Sequence, residues 1–273
     1  MGIKRKILKA IVNLFALNRA NVLSCSLAEE ITPYYLISRN GIDYRFFCPN
    51  HLIRWRLDTY FTKEPETLAW IDTFKKGEVL FDIGANIGLY TIYAAQKGAT
   101  VFAFEPESQN YAMLNRNIFL NPGAAVVTGL NIAIADQTSV GKLNLSAFET
   151  GAALNQFNQT VDEFKREFHP VFQQGVVSFT LDAFVALAKV CPQHIKIDVD
   201  GLEPLIIRGA AQTLKDARLK SVLIEINEER VDHLAILPIM ESAGLGLLYK
   251  KHSSLFDQGK YQKVFNYVFQ RQA

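Results

Sequence analysis

The sequence predicts an α/β fold on a mostly parallel sheet, with an antiparallel hairpin at its C-terminal edge and an extension at its N-terminus. Three observations carry this. Short apolar runs alternate with helix-length amphipathic stretches from about residue 79 onward, the pattern of βαβ units covered on both faces. One run, VLFDI, stops at an acid and enters the glycine-rich turn GANIG before another helical pattern begins. The last two runs, Leu245–Tyr249 and Phe265–Phe269, are joined by a short polar loop, which suits a closing hairpin.

The first element predicted is a helix near the start. Ile7, Ile11, Leu14 and Phe15 fall on one helical face, with Lys4, Lys6 and Lys9 mostly elsewhere. The run is too short to span a bilayer, and Lys9 and Asn13 interrupt it where a signal peptide would be apolar. The expected reading is a helix packed on the domain; the alternative is one lying on an anionic membrane surface, a peripheral contact. Two β-rich runs flank Asn40-Gly41, a hairpin signal. Pro65 opens a helix through Leu68, Trp70 and Ile71 that leads into the first parallel strand.

Next come a helix from about Leu89 to Lys97, the strand TVFAFE ending at Glu105-Pro106, and a helix from Ser108 to Asn121. Strands follow near Ala125–Val127 and Leu130–Ala135. HIKIDVDG is a strand ending in acids, Pro204–Lys215 a helix, SVLIEIN a strand and Val231–Ala243 a helix. Between residues 139 and 177 the rhythm breaks in a stretch rich in Gln, Asn, Thr and Phe, longer than a plain βα loop, so an insertion is expected there. The division expected is residues 1–75 as an extension of helix, hairpin and lead-in helix, and 76–273 as the catalytic domain.

Composition excludes several classes. The chain has 273 residues, 49% hydrophobic and 21% charged, with a formal net charge of +2 and no basic stripe of the kind that tracks nucleic acid. Cys25, Cys48 and Cys191 are far apart, with no CxxC pair, so neither a disulfide framework nor a thiolate metal site is expected and a reducing cytoplasm is the default.

In open α/β sheets a ligand lies outside the C-terminal ends of the strands. There the turn reads Asp82-Ile83-Gly84-Ala85-Asn86-Ile87-Gly88. A dinucleotide fingerprint would be G-x-G-x-x-G, and a carboxylate just before it would repel pyrophosphate. Asp82 instead suits a ligand carrying positive charge, such as S-adenosyl-L-methionine (SAM), whose one carboxylate the turn amides could take. Glu105, at the end of the next strand, is placed to accept from two ribose hydroxyls.

FDIGANIGLYT, VFAFEPESQNYAMLNRNIFLN, SFTLDAF, HIKIDVDGLEPLIIRGA and SVLIEIN together resemble the FkbM-family SAM-dependent methyltransferases, over about Val79 to Asn227. The family usually reads IKIDVEG where this chain has Asp200. The resemblance implies a class I methyltransferase (Rossmann-like) fold and methyl transfer from SAM, commonly to a hydroxyl. It also implies that Asp82, Gly84, Ala85, Asn86, Gly88, Glu105 and Pro106 bind the cofactor. The acceptor expected is a carbohydrate or a small hydroxylated metabolite. Two other readings are an NAD-dependent nucleotide-sugar oxidoreductase or epimerase and a non-catalytic SAM-binding partner protein.

For proton removal the candidates are Asp198, Asp200, Lys196 and Glu225. On a strand, Lys196, Asp198 and Asp200 alternate onto one face, opposite Ile195, Ile197 and Val199. Asp198 and Asp200 are the best placed, with Lys196 a structural partner for an acid such as Asp198 or Glu225. Acid clustering alone does not assign a metal. His233 reads as a surface residue, His194 sits at the wrong end of its strand, and Phe148–Ala153 is a candidate cap over the acceptor.

Overall fold

The computed structural model describes residues 2–17, 19–31, 33–124 and 126–272. Two helices come first, α1 (Gly2–Leu14) and α2 (Val22–Glu30), the latter opened by a capping box between Asn21 and Ser24. The hairpin β1 (Tyr34–Arg39) and β2 (Ile42–Phe47) turns at Asn40-Gly41, both at positive φ, as a two-residue turn of this type requires. Two short helices follow, α3 (His51–Asp58), with no counterpart in the sequence reading, and α4 (Pro65–Ile71).

The central sheet then begins with β3 (Val79–Ile83), α5 (Leu89–Gln96), β4 (Thr100–Phe104), α6 (Ser108–Leu120) and β5 (Val127–Leu130). The strand expected near residue 125 starts at Val127, Ala125 itself lying outside the described residues. The strand expected over Leu130–Ala135 is divided. Its first residue ends β5, and Ala133–Ile134 forms β6 of a second sheet.

The stretch from 139 to 177 is not a loop. Strands β7 (Ser139–Leu145), β8 (Gln156–Phe157) and β9 (Phe172–Phe179) join β6 in a four-stranded sheet of order β6-β9-β7-β8. Its alternation is blurred by Gly141, Gly175 and paired glutamines, which is why no strands were legible there.

Thereafter come α7 (Leu181–Ala188), β10 (His194–Ile197), α8 (Glu203–Arg208), α9 (Ala211–Lys215), β11 (Ser221–Asn227), α10 (Val231–Leu234), α11 (Ile236–Ser242), β12 (Leu245–Lys251) and β13 (Val264–Arg271). Two expected long helices are each broken. At Gly209 a Cβ would lie 2.3 Å from the Ala135 carbonyl oxygen, so the chain bends there between α8 and α9. Pro238 has no N–H for the Leu234 carbonyl and interrupts the α10–α11 ladder.

The large sheet has the order β12-β13-β11-β10-β3-β4-β5. Pairings among β11, β10, β3, β4 and β5 are parallel, and β13 joins β11 and β12 antiparallel, as expected of the closing hairpin. The chain leaves β3 toward β4 on one side and returns at β10 on the other, so the topological switch point lies between β3 and β10.

Alternation sorts the strands onto two cores. Phe81, Ile83, Ile195, Ile197 and Ile224 pack against α7, α8 and α11 on one face. Leu80, Val101, Ala103 and Leu223 meet α5, α4, α3 and the hairpin on the other, with Tyr44, Phe46, Ile53 and Tyr60 buried among them. The hairpin is tied down by α6, whose Asn117 and Asn121 side chains accept from Phe47 N at 2.8 Å and Arg45 N at 3.0 Å. The first helix departs from the expectation of a packed element. Ile7, Ile11, Leu14 and Phe15 are exposed and belong to neither core.

Candidate functional site

The turn after β3 and the loop after β10 meet at the switch point. Gly84 sits at φ +83°, and a Cβ there would lie 2.0 Å from the Asp198 carbonyl oxygen, so this contact admits only glycine. Gly88 caps α5 at φ +87° against Leu114. The turn amides already have partners, in the turn and at the end of β4. Gly84 N and Ala85 N donate to Phe104 O at 3.0 Å, Asn86 N to Glu105 Oε2 at 2.7 Å, and Gly88 N to Ala85 O at 2.8 Å. The expectation that these amides would hold a ligand carboxylate is therefore corrected: they hold the turn itself.

A cavity of about 260 Å³ opens above this junction. Of the residues singled out from sequence, Gly84, Asn86, Glu105 and Pro106 line it from one side, and Asp198, Asp200 and Glu225 from the other. A smaller cavity beside it is lined by Ala85 and Lys196, and shares Gly84, Asn86 and Asp198 with the first. Gly88 and Asp82 line neither. Asp82 is 1% exposed and lies beneath the turn, its Oδ2 accepting from the Thr91 hydroxyl at 2.5 Å. Burial pushes its carboxyl up, with Lys196 opposing. It lies inside β3, two residues before Gly84, and so sits deeper in the sheet than the residues that line the cavities.

Glu105 is buried, and each of its oxygens accepts one backbone N–H, from Asn86 and from Glu107 at 2.8 Å. Burial outweighs those two bonds and raises it to about 8. Each carboxylate oxygen keeps a second lone pair. Donors arriving from the cavity would favour the ionised form.

Lys196 stands directly across from Asp82 in the parallel pairing, 1% exposed, with its ammonium 2.7 Å from Asp198 Oδ2 and over the Tyr90 ring. Burial opposes its charge, but Asp198, Asp82 and Glu64 outweigh that and keep it cationic. Its assignment as a partner to Asp198 matches the geometry. Glu64, absent from the sequence reading, is held at about 2: burial works against ionisation, and Lys63 and Lys196 overcome it.

The strand β10 ends at Ile197, so Asp200 does not share a strand face with Lys196 as expected. It sits at φ +56°, its Oδ2 accepting from Leu154 N at 2.7 Å and its carbonyl from Gln156 Nε2 at 2.8 Å. Burial, then the charge of Asp198, pushes its carboxyl up. Glu203 fastens the same loop, its Oε1 accepting from Val199 N at 3.0 Å and Gly201 N at 3.3 Å. Burial, then the charges of Asp198, Glu163 and Glu203, pushes the Glu225 carboxyl well above the usual range.

His233 is not on the surface. It is 1% exposed, its Nδ1 accepts from Asn227 N at 3.2 Å, and burial, reinforced by Arg230, lowers it to about 4. It lines neither cavity. His194 lies at the N-terminal end of β10, away from the site, as expected.

The loop between β7 and β8 crosses the site. Ala152 O accepts from the side chains of Asn86 at 3.0 Å and Asn110 at 3.1 Å, and Gly151 N donates to Asn110 Oδ1 at 2.7 Å. Ala152 and Ala153 line the cavity, whereas Phe148 is exposed and packs on Phe172. Arg56, Lys63, Trp55 and Tyr261 complete the walls from α3, the segment before α4 and the C-terminal hairpin loop. None carried a motif. Among the described residues no cluster of His, Cys, Asp and Glu has metal-holding geometry, and no helix is long and apolar enough to cross a membrane.

Residues 82–245 match the family described as Methyltransferase FkbM domain. The chain is 24% identical over 177 residues to the hexuronic acid methyltransferase AglP of Haloferax volcanii, covering 63% of this chain and 66% of that one. It is 26% identical over 193 residues to Methyltransferase 1 of Beauveria bassiana, covering 65% and 76%. It is also 35% identical over 71 residues to 31-O-demethyl-FK506 methyltransferase FkbM of Streptomyces tacrolimicus, covering 25% and 26%. The chain thus spans just under two thirds of AglP and about a quarter of the last relative.

Proposed function

We propose, from the premise that this chain belongs to the FkbM methyltransferase family, that it methylates a hydroxyl oxygen on a carbohydrate or a small hydroxylated metabolite. The cofactor of the family is SAM, and the residues of the cavity fit it. SAM carries net positive charge, and Glu105, Asp198, Asp200 and Glu64 line the space. Those same acids disfavour the two phosphates of a dinucleotide, which sets the oxidoreductase reading aside. The single observation that carries the proposal is the buried Glu105 carboxylate, with unused lone pairs, facing Asp198 and Asp200 across one cavity.

When bound, SAM supplies an activated methyl group for in-line displacement, so no covalent enzyme intermediate is needed. Glu105 would accept from the ribose hydroxyls, with Asn86 and Pro106 lining the same cavity. Arg56 and Lys63 are the cations lining the cavity and offer partners for the cofactor carboxylate. On the acceptor side, Asp200 takes the hydroxyl proton. Its burial raises its basicity, and Leu154 N fixes its orientation. Asp198, locked by Lys196, holds the loop and orients the acceptor, and Glu225 bounds the same cavity. Trp55 and Tyr261 offer ring faces on which a sugar can stack. The hexuronic acid acceptor in the name of AglP supports a sugar.

Calorimetric titration of ligand-stripped protein with SAM and, separately, with NAD tests the cofactor. Saturable SAM binding weakened by Glu105→Ala supports the proposal. NAD binding without a SAM response overturns it. Methyl transfer from labelled SAM to a panel of sugars then identifies the acceptor.

A further inference from the structure

The helix pair at the start of the chain takes no part in either core. None of the described residues from 3 to 31 is buried. Ile3 is 77% exposed, Leu14 78% and Ile7 56%. At 3.6 residues per turn, Ile3, Leu14, Ile7, Ile11 and Leu8 follow one another around about 140° of α1. Arg5, Lys9 and Lys6 occupy the opposite side. Lys4 alone interrupts the apolar arc, one turn from the helix start, where its stem can lie along that surface with the ammonium in water.

Charge decides what covers such a face. Lys4, Arg5, Lys6, Lys9 and Arg19 precede the first acid of the chain, Glu29. A second copy docking through the same face would bring two such clusters together, which like charges oppose. An anionic lipid surface meets both features at once: acyl chains take the apolar arc, and headgroups take the basic residues on its flanks. The helix has 13 residues, about 20 Å, too short to cross a bilayer, so it lies in the plane of the interface.

We propose that α1 seats this protein on an anionic membrane surface, with Ile3, Ile7, Ile11 and Leu14 inserted below the headgroups. The inference rests on the exposed helix alone and stands apart from the methyltransferase reading.

The test is flotation of the full chain with vesicles of phosphatidylcholine alone, or with about 30% phosphatidylglycerol. Binding to the anionic vesicles only, weakened by salt, is expected. Each basic residue near such a surface contributes about fivefold, so the triple variant Lys4→Gln, Lys6→Gln, Lys9→Gln should lose on the order of 100-fold. Ile7→Glu with Ile11→Glu should abolish flotation while the melting temperature and SAM affinity stay at wild-type values, since neither side chain enters a core. No flotation with anionic vesicles, or flotation unchanged in the double variant, overturns the proposal. So does a dimer in gel filtration that the double variant dissolves while the wild type ignores vesicles.

Discussion

Replacing Gly84 with alanine tests the junction on which the whole site rests. Two separate costs arise. The first is conformational: at φ +83° an L-residue is in the left-handed region, at about 1–2 kcal/mol. The second is steric. The new Cβ would stand 2.0 Å from the Asp198 carbonyl oxygen, while real contacts of this kind do not fall below 3.0 Å. Two backbone segments must therefore separate by about 1 Å, adding roughly 1–3 kcal/mol. Gly77 supplies the control. It has φ +85° and nothing within 4 Å of its would-be Cβ, so Gly77→Ala carries the first cost alone. With about 2.1 cal/mol/K per residue of unfolding entropy, 273 residues give about 0.57 kcal/mol/K. Gly77→Ala should then lower the melting temperature by about 2–4 °C and Gly84→Ala by about 4–9 °C. The second variant should also lose SAM binding by at least about tenfold, because Asn86 and Glu105 move with the turn. Differential scanning calorimetry and titration read both quantities. If Gly84→Ala melts within a degree of Gly77→Ala, the close approach of the turn to the Asp198 loop is not what holds this junction.

Glu105→Ala removes two charge-assisted hydrogen bonds to ribose hydroxyls, worth about 1.5 kcal/mol each, so SAM affinity should fall on the order of 100-fold by calorimetry. Because burial holds Glu105 at about 8, binding that needs its ionised form should strengthen as pH rises toward that value and level off above it, a dependence the alanine variant lacks. Asp200→Asn should abolish turnover while SAM affinity stays within about threefold. In the wild type, kcat/KM should fall as pH drops through a pKa above the ordinary aspartate value of about 3.9, since burial raises this carboxyl; a rate indifferent to Asp200 moves the base elsewhere. Lys196→Met leaves Asp198, Asp82 and Glu64 without their shared cation, at about 3–5 kcal/mol or roughly 5–9 °C in melting temperature at neutral pH. The loss should shrink in acid. Lys63 and then Lys196 hold Glu64 at about 2, so the share that Lys196 contributes is present above the ordinary carboxylate pKa and disappears as pH falls toward 2. A Lys196→Met deficit that stays constant from neutral pH down to about pH 2 would place its role in packing alone.

Much of the fold and part of the site could be read along the chain because the signals are local. VLFDI, TVFAF and SVLIEIN are continuous apolar runs that belong in a doubly covered sheet. The turn at Gly84, and Glu105 at the next strand end, are set by residues a few positions apart. The closing hairpin, with two β-rich runs around a polar loop, is of the same kind. The small second sheet was not legible, since its strands are joined by irregular connections and neither alternation nor turn signals mark them.

Tertiary structure alone decided which acids face the ligand and in what state. Asp82 and Glu105 look equivalent at two strand ends, yet Asp82 lies inside β3, beneath the turn, and Glu105 stands one residue past β4, at the cavity. Arg56 comes from α3 and Lys63-Glu64 from the segment before α4, both far along the chain from the strand ends, so no spacing announces them. Charge state follows the same logic. Burial and neighbouring charges raise Glu225 and lower His233, and both depend on what long-range packing brings near, which local sequence does not encode. The amphipathic pattern of α1 was plain in the sequence; that no core receives it was visible only in the tertiary structure, where the hairpin and α3 pack into the core on one sheet face and α1 joins neither.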